Sequence, residues 1–406
     1  MPLFSVIVTS LGRLTLLQHA LSSVMKQDSG DFELILVNSH PSKEGENLVA
    51  SFSDTRIRYI TTTPSEAHLN WDVGYRAARG TYILWLDDDN YLLPHALSHL
   101  AAGIAAHAPD IATGDHLHWY EAEHPRIDVR NRIVIPLPLF SHAVSMIDGK
   151  NYIRSLFGMP AIGSPSGARF HFSETAIKRE MIEASMPTIG RIDFRGTSPR
   201  MMQLILLART EHIVHINSPL CIVIQMGDSI AYRWGKSAAR AKRSPPSFVY
   251  SPVSADTYIN TVTESLLATQ QRFPDDLAPY ALNWSSFFSA YARELMLLDQ
   301  EWRTMHASWR ELTHAMREKG VPVERGFCIL NLLKSYCIKI LRIVHVYQHA
   351  RYMYGIRKRQ SSSKTTKTLT MPDSVQTIED CAEALPMRIE EELGIPYASF
   401  VGTETH

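Results

Sequence analysis

From the start to about residue 110, short apolar runs alternate with stretches whose apolar positions recur every three or four residues. Phe4–Thr9, Phe32–Val37, Ile57–Thr61 and Tyr82–Leu86 are apolar, β-rich runs of the kind buried inside a sheet. Between them, Leu14–Met25 sets Leu14, Leu17, Leu21 and Val24 on one helical face. Asn38–Lys43 is rich in turn formers, Glu46–Phe52 predicts a short helix, and Leu69–Arg79 a longer one that stops at Gly80. Strands alternating with helices predict βαβ units: an α/β fold with a mostly parallel sheet flanked by helices, Rossmann-like, with ligands at the carboxyl ends of the strands.

The pattern loosens further along. Leu92–His107 predicts a helix, and Asp110–Ala112 leads into a strand over Asp115–Tyr120. Residues 125–170 are rich in Pro and Gly with little periodicity, which predicts long loops. Thr175–Ala184 and Ser198–Arg209 read as helices, Ile213–Ile216 and Leu220–Gln225 as strands. Composition shifts near Ser237, and from Ala255 to about Lys319 the period is helical, with Trp284, Phe287, Phe288 and Tyr291 forming a core stripe. Cys328–Tyr354 predicts an apolar, basic helix; between Lys334 and Lys367 there are nine Lys or Arg and no Asp or Glu. Ser361–Thr370 reads as a polar linker and the remainder as acidic, with the run Glu390–Glu392. The implied division is a sheet domain over 1–236, a helical C-terminal region over 237–325, a basic amphipathic helix over 326–360, and a linker with an acidic tail over 361–406.

Charge narrows the partners. The 406 residues carry 41 Lys and Arg against 41 Asp and Glu, so no basic excess exists to drive nucleic-acid binding. The four cysteines, Cys221, Cys328, Cys337 and Cys381, show no metal-ligand spacing, which argues against a zinc module or a disulfide framework and for a reducing cytoplasm. The opening MPLFSVIVTS lacks a basic n-region and reads as a first strand. No run of eighteen uncharged apolar residues predicts a membrane span.

The strongest chemical signal is Asp87-Asp88-Asp89-Asn90, directly after the strand Tyr82–Leu86. Three successive carboxylates at the end of a buried strand repel one another and lose solvation unless a cation offsets them. Mg²⁺ or Mn²⁺ suits such oxygen ligands and is commonly shared with substrate phosphates. The alternative is a polar turn in which Asp89 or Asn90 caps the next helix. His116 and His118 alternate along one strand beside Asp115 but lack a further ligand set. His171, between Phe170 and Phe172, has the setting of a core histidine.

FSVIVTSLGR, DFELILVNSHPS and NWDVGYRAARGTYILWLDDDNYLLPHAL, in that order and spacing, resemble the family 2 glycosyltransferases of the GT-A fold. The resemblance runs over roughly residues 4–105 and more weakly to about 235. It implies a metal-dependent, nucleotide-sugar-dependent glycosyltransferase domain over 1–236 that moves a sugar from a nucleoside diphosphate, with UDP the expected carrier, to a hydroxyl of a glycan or lipid-linked acceptor. Inversion and a place in surface polysaccharide or glycoconjugate synthesis follow from the same resemblance. Asp89, with Asp87, would hold the Mn²⁺ or Mg²⁺ ion, and Asp88 or Asp87 would contact ribose or metal-bound water. Thr9, Ser10 and Arg13 would line the nucleotide pocket, and Arg76 and Arg79 would face the diphosphate.

Two departures stand out. Where many relatives carry an Asp that contacts the base, this chain has Asn38 and Ser39, which still hydrogen-bond a base edge. Where the family places its catalytic base, this chain has Thr197 and Ser198; Asp193 is the nearest carboxylate and first candidate, Glu174 the second, with Asp115 behind them. His171 falls in the family's acceptor region. A catalytically impaired binding or scaffolding subunit of a glycan-synthesis complex is the competing reading. The basic stretch 328–359 has two readings: a helix lying on an anionic membrane surface, peripheral to the inner face of the plasma membrane, or a helix packed on the domain with solvated charges.

Overall fold

The computed structural model describes residues 1–10, 12–63, 67–124, 129–136, 143–159, 175–189, 200–210, 212–226, 248–255, 257–296, 302–323 and 366–401. The first part of the chain runs β1 (Phe4–Ser10), α1 (Leu14–Met25), β2 (Phe32–Asn38), α2 (Lys43–Ser51), β3 (Ile57–Thr61), α3 (Ala67–Ala77), β4 (Tyr82–Asp87), β5 (Asn90–Leu92), α4 (Ala96–His107) and β6 (Ile111–Tyr120). Then come β7 (Arg132–Pro136), β8 (Val144–Ile147), α5 (Gly149–Leu156), β9 (Ala176–Lys178), α6 (Arg179–Ile189), α7 (Arg200–Arg209) and β10 (Ile213–Gln225). Helices α8 (Tyr258–Arg272), α9 (Pro274–Leu277), α10 (Trp284–Leu295) and α11 (Trp302–Glu318) follow, and the chain closes with β11 (Thr366–Thr370), α12 (Ile378–Leu393) and α13 (Tyr397–Val401).

One mixed sheet organises these elements in the order β11-β7-β6-β9-β4-β1-β2-β3, with β10 joined to β5, β6 and β8. Its longest ladders are parallel: β1 with β2 and β4, β2 with β3, and β6 with β10. The continuous apolar strands demand cover on both faces, and they receive it. Val6, Val8, Leu34 and Leu36 pack with Leu17 and Leu21 of α1 and Leu97 and Leu100 of α4. Ile7, Ile35, Val37 and Trp85 pack on the other face with Trp71 and Tyr75 of α3 and Leu204 and Leu207 of α7.

Gly80 makes the α3–β4 junction possible. A Cβ there would approach Ser5 N at 2.5 Å and Phe4 C at 2.7 Å, so only glycine lets the chain pass this close to the start of β1. The helical region is continuous with the sheet domain, because Leu266 of α8, Leu277 of α9 and Tyr280 join the core under α7. Beyond them α10 and α11 close a separate cluster around Phe288, Tyr291 and Trp309, which contains the aromatic stripe expected from the sequence.

Four regions differ from the sequence reading. Thr175–Ala184 is not one helix: β9 is inserted antiparallel between β4 and β6, and α6 begins only at Arg179. The helix expected from Leu92 starts at Ala96, because Asn90–Leu92 pairs with β10. Within the expected loops of 125–170, β7, β8 and α5 form by pairing with distant strands and packing, which outweighs their weak local pattern. The polar linker is likewise a strand, for β11 pairs antiparallel with β7 from Thr366 to Thr370.

The acidic tail is a docked cap. Ile378, Cys381, Leu385 and Ile389 of α12 are buried with Tyr91, Leu93, Trp119 and Ile222. The basic stretch 328–359 lies outside the described residues, as do His171, Glu174, Asp193, Thr197 and Ser198. No helix among the described residues is long and apolar enough to cross a membrane.

Candidate active site

Parallel strands end where their last carbonyls and side chains face the crevice, and β1 and β4 end side by side: Thr9 is in register with Asp87. The next two residues, Asp88 and Asp89, form the turn into β5. That turn is held from α1, where Ser23 Oγ accepts from Leu92 N at 3.1 Å. Gln27 bridges Leu93 O and Leu97 N, each at 2.9 Å.

The cation that offsets the acidic turn in this structure is Arg13. It precedes α1 and follows Gly12, whose φ of 90° turns the chain so that the guanidinium reaches across β1. Nη1 donates to Asp89 Oδ2 at 3.0 Å and Nη2 to Asp88 Oδ1. The second oxygen of Asp88, Oδ2, is buried with no hydrogen-bond partner among the described residues. Burial pushes the Asp89 carboxyl above its ordinary range, Arg13 pulls it back, and the Asp88 charge adds to the upward push. Burial works against the Arg13 charge, but Asp88 and Asp89 outweigh it and raise its pKa.

These carboxylates are hard oxygen donors, and an orphaned carboxylate oxygen is the group a divalent cation satisfies. The donor set therefore fits such an ion, although among the described residues no group of three His, Cys, Asp or Glu is arranged to hold one.

The domain that builds this turn has relatives. A sequence profile described as glycosyl transferase family 2 matches residues 5–173. That stretch is the part of the chain that is similar to family 2 glycosyl transferases.

Over 104 residues the chain is 35 % identical to the GalNAc(5)-diNAcBac-PP-undecaprenol beta-1,3-glucosyltransferase of Campylobacter jejuni, a stretch covering 25 % of this chain and 34 % of that protein. It is 31 % identical over 119 residues to a PGL/p-HBAD biosynthesis glycosyltransferase of Mycobacterium tuberculosis, covering 28 % and 46 %. The chain thus spans less than half the length of these curated relatives. Among solved structures, S. aureus TarS 1-349 in complex with UDP-GlcNAc aligns over 83 % of this chain and 91 % of that one, at 15 % identity and a TM-score of 0.46. A Pyrobaculum calidifontis mannosyltransferase in complex with GDP-Man and Mn²⁺ aligns over 78 % and 86 %, at 18 % identity and a TM-score of 0.38.

Around the turn, several of the residues marked in the sequence serve as framework. Thr9 Oγ1 accepts from Trp71 Nε1 at 3.0 Å, and Trp71 stacks on Trp85 with centroids 5.9 Å apart. Ser10 Oγ accepts from Gly12 N at 3.1 Å, shaping the loop that carries Arg13. Asn38 is fully buried: its Nδ2 donates to the Tyr59 hydroxyl at 3.1 Å and its Oδ1 accepts from His40 N at 3.0 Å. Ser39 N donates to Ser10 O at 3.2 Å, tying the ends of β1 and β2 together.

Arg76 Nε is ion-paired to Asp72, one turn back along α3, at 2.7 Å. Arg79 is carried away from the turn. Arg79 N binds Ser5 Oγ and Glu33 Oε1 at the amino ends of β1 and β2. Asp115 faces His215, with Oδ2 3.2 Å from Nε2. Neighbouring His118 lies 3.4 Å from Gln225 Nε2 through its Nδ1.

Sequence reasoning missed the Trp71–Thr9 bond, the Tyr59 partner of Asn38, and the Arg13 bridge. Their partners are far apart in sequence, so no local pattern announces them. The capping strand and helix did leave a trace, in the Thr377-x-x-Asp380 pattern.

Proposed function

We propose that the chain is an inverting glycosyltransferase that uses a nucleoside-diphosphate sugar, UDP-linked by expectation, together with Mn²⁺ or Mg²⁺. The observation that carries this is the buried acidic turn at the end of β4, with the Asp88 Oδ2 atom unsatisfied, inside the stretch similar to family 2 glycosyl transferases. Asp89 and Asp87 would hold the ion, and Asp88 would contact ribose or ion-bound water. Bound there, a divalent cation stabilises the negative charge that gathers on the departing nucleoside diphosphate. The protein's own groups would supply the rest: Thr9, Ser10 and Arg13 on the donor side, and Asn38 and Ser39 toward the base.

In the transfer, the acceptor oxygen forms its bond to the anomeric carbon as the bond to phosphate breaks. The electron pair leaves with the diphosphate, and the hydroxyl proton passes to a carboxylate. Asp193 is the first candidate for that base and Glu174 the second, with His171 on the acceptor side.

An acceptor that is a glycan or a lipid-linked sugar accords with the name of the Campylobacter relative, a GalNAc(5)-diNAcBac-PP-undecaprenol beta-1,3-glucosyltransferase. The seven Lys and Arg residues from Lys334 to Arg359 support contact of 328–359 with an anionic membrane on the cytoplasmic side. The test is release of nucleoside diphosphate with Mn²⁺ from the full chain and from Asp89→Ala. Full activity in the variant refutes the ion assignment, and donor binding without turnover on any acceptor identifies a binding or scaffolding subunit instead.

A further inference from the structure

Arg13 touches the two carboxylates in an unusual way. Its two terminal nitrogens do not share one carboxylate; each goes to a different one, Nη1 to Asp89 and Nη2 to Asp88. The guanidinium thereby bridges the pair: it occupies Oδ2 of Asp89, a carboxylate that would hold the ion, and Oδ1 of Asp88, which would meet ribose or ion-bound water. Arginine stays charged at any physiological pH, so this occupant never leaves by losing its proton. It leaves only for another anion or for water.

We propose that Arg13 is a resident counter-ion that keeps divalent cations off the Asp88–Asp89 turn until a nucleoside diphosphate arrives, so that ion and donor load as a coupled pair. The inference rests on the proposed function of the turn. Three features of the site support the exchange. The Arg13 side chain is 43 % exposed, so it can swing outward without unpacking the core. It stands at the head of α1, a twelve-residue helix with no acidic residue in its first turn and no side-chain cap, where the helix dipole favours an anion.

The third feature is the balance of charge. One guanidinium is paired with two carboxylates here, and an incoming divalent ion alone would expel Arg13 into water with the loss of two charge-assisted hydrogen bonds. A diphosphate changes that balance, because it offers the displaced guanidinium new oxygens while it also binds the ion. The coupling is reciprocal: whatever the diphosphate gives to ion affinity, the ion gives to diphosphate affinity. Arg13 is in this sense a positioning residue.

The experiment measures Mn²⁺ uptake by the full chain from the loss of the free-ion EPR signal, first without nucleotide and then with UDP or GDP. Arg13→Gln is expected to bind Mn²⁺ without nucleotide about tenfold tighter than the wild type, and to gain about tenfold less from added nucleotide. Arg13→Lys, which keeps the charge but cannot bridge two carboxylates in one plane, is expected to fall between them. Thermal unfolding of each variant checks that the turn is intact, and the lysine variant carries the same reading if the glutamine variant does not fold. Equal or weaker Mn²⁺ binding by the variants without nucleotide overturns the role of Arg13. No Mn²⁺ uptake by any of the three proteins, even with nucleotide, overturns the ion site itself and the proposed function with it.

Discussion

Replacing Glu379 by Gln tests whether the C-terminal cap is fastened to the site helix by charge. The Glu379 carboxylate of α12 accepts from two residues of α1, His19 Nδ1 and Ser22 Oγ, both at 2.8 Å, and from Lys26 Nζ, just past its end, at 2.7 Å. Partial burial opposes its ionisation, but these donors outweigh it and hold the carboxyl at about 2, against an ordinary 4.5. A depression of that size corresponds to about 3 kcal/mol at neutral pH. Lys26 is half-exposed, and solvent screening reduces the figure to roughly 1–2 kcal/mol.

The sign follows from the depressed value. The contribution is complete above pH 4.5, shrinks as the unfolded carboxyl takes up its proton, and is gone once the pH falls to about 2. Hydrogen exchange of the α12 amides reads it directly, since local opening of the cap exposes them. At neutral pH, Glu379→Gln should exchange roughly 5- to 30-fold faster than the wild type, and the difference should close near pH 2. Unchanged exchange at neutral pH, or a deficit that persists undiminished in acid, would refute the argument.

Three further outcomes are expected. Asp89→Asn, with the turn's shape kept, should lower nucleoside-diphosphate release in Mn²⁺ by at least about a hundredfold, with thermal unfolding showing that the fold survives. Gly80→Ala should destabilise by about 1–3 kcal/mol in a denaturant titration, because its methyl group meets the backbone of β1 rather than a yielding side chain. Leu385→Ala, in the fully buried seam between α12 and the sheet, should cost about 2–5 kcal/mol and increase exchange in the cap ahead of the sheet core.

The parallel core was legible because its strands are covered on both faces, so burial shows as the apolar runs at 6–8 and 34–37 within Phe4–Ser10 and Phe32–Asn38. The acidic turn was legible for the opposite reason, since three carboxylates after such a run are conspicuous. β9 was not, because three residues cannot display a period of two, and only the gap between β4 and β6 makes Ala176–Lys178 a strand. β11 reads as a linker because Thr and Lys alternate around a single buried Leu369.

The cap helix was obscured by its acidic outer face, although Ile378, Cys381, Leu385 and Ile389 keep helical spacing within a capping box. Within the site, the residue types were readable and their pairings were not. Arg13 reads as a nucleotide contact and stands in the structure as a bridge between carboxylates. Arg76 reads as a diphosphate contact and stands in the structure as the ion-pair partner of Asp72.

The strand β11 has a consequence for how the molecule is made. It pairs with β7 across more than two hundred residues of intervening chain, so during synthesis the outer border of the sheet stays bare until residue 370 has emerged. A nascent or shortened chain ending before residue 366 would offer the exposed backbone of Arg132–Pro136 to any neighbouring strand. Versions cut back before β11 to isolate the sheet domain should therefore clump in a way that a chain retaining β11 does not.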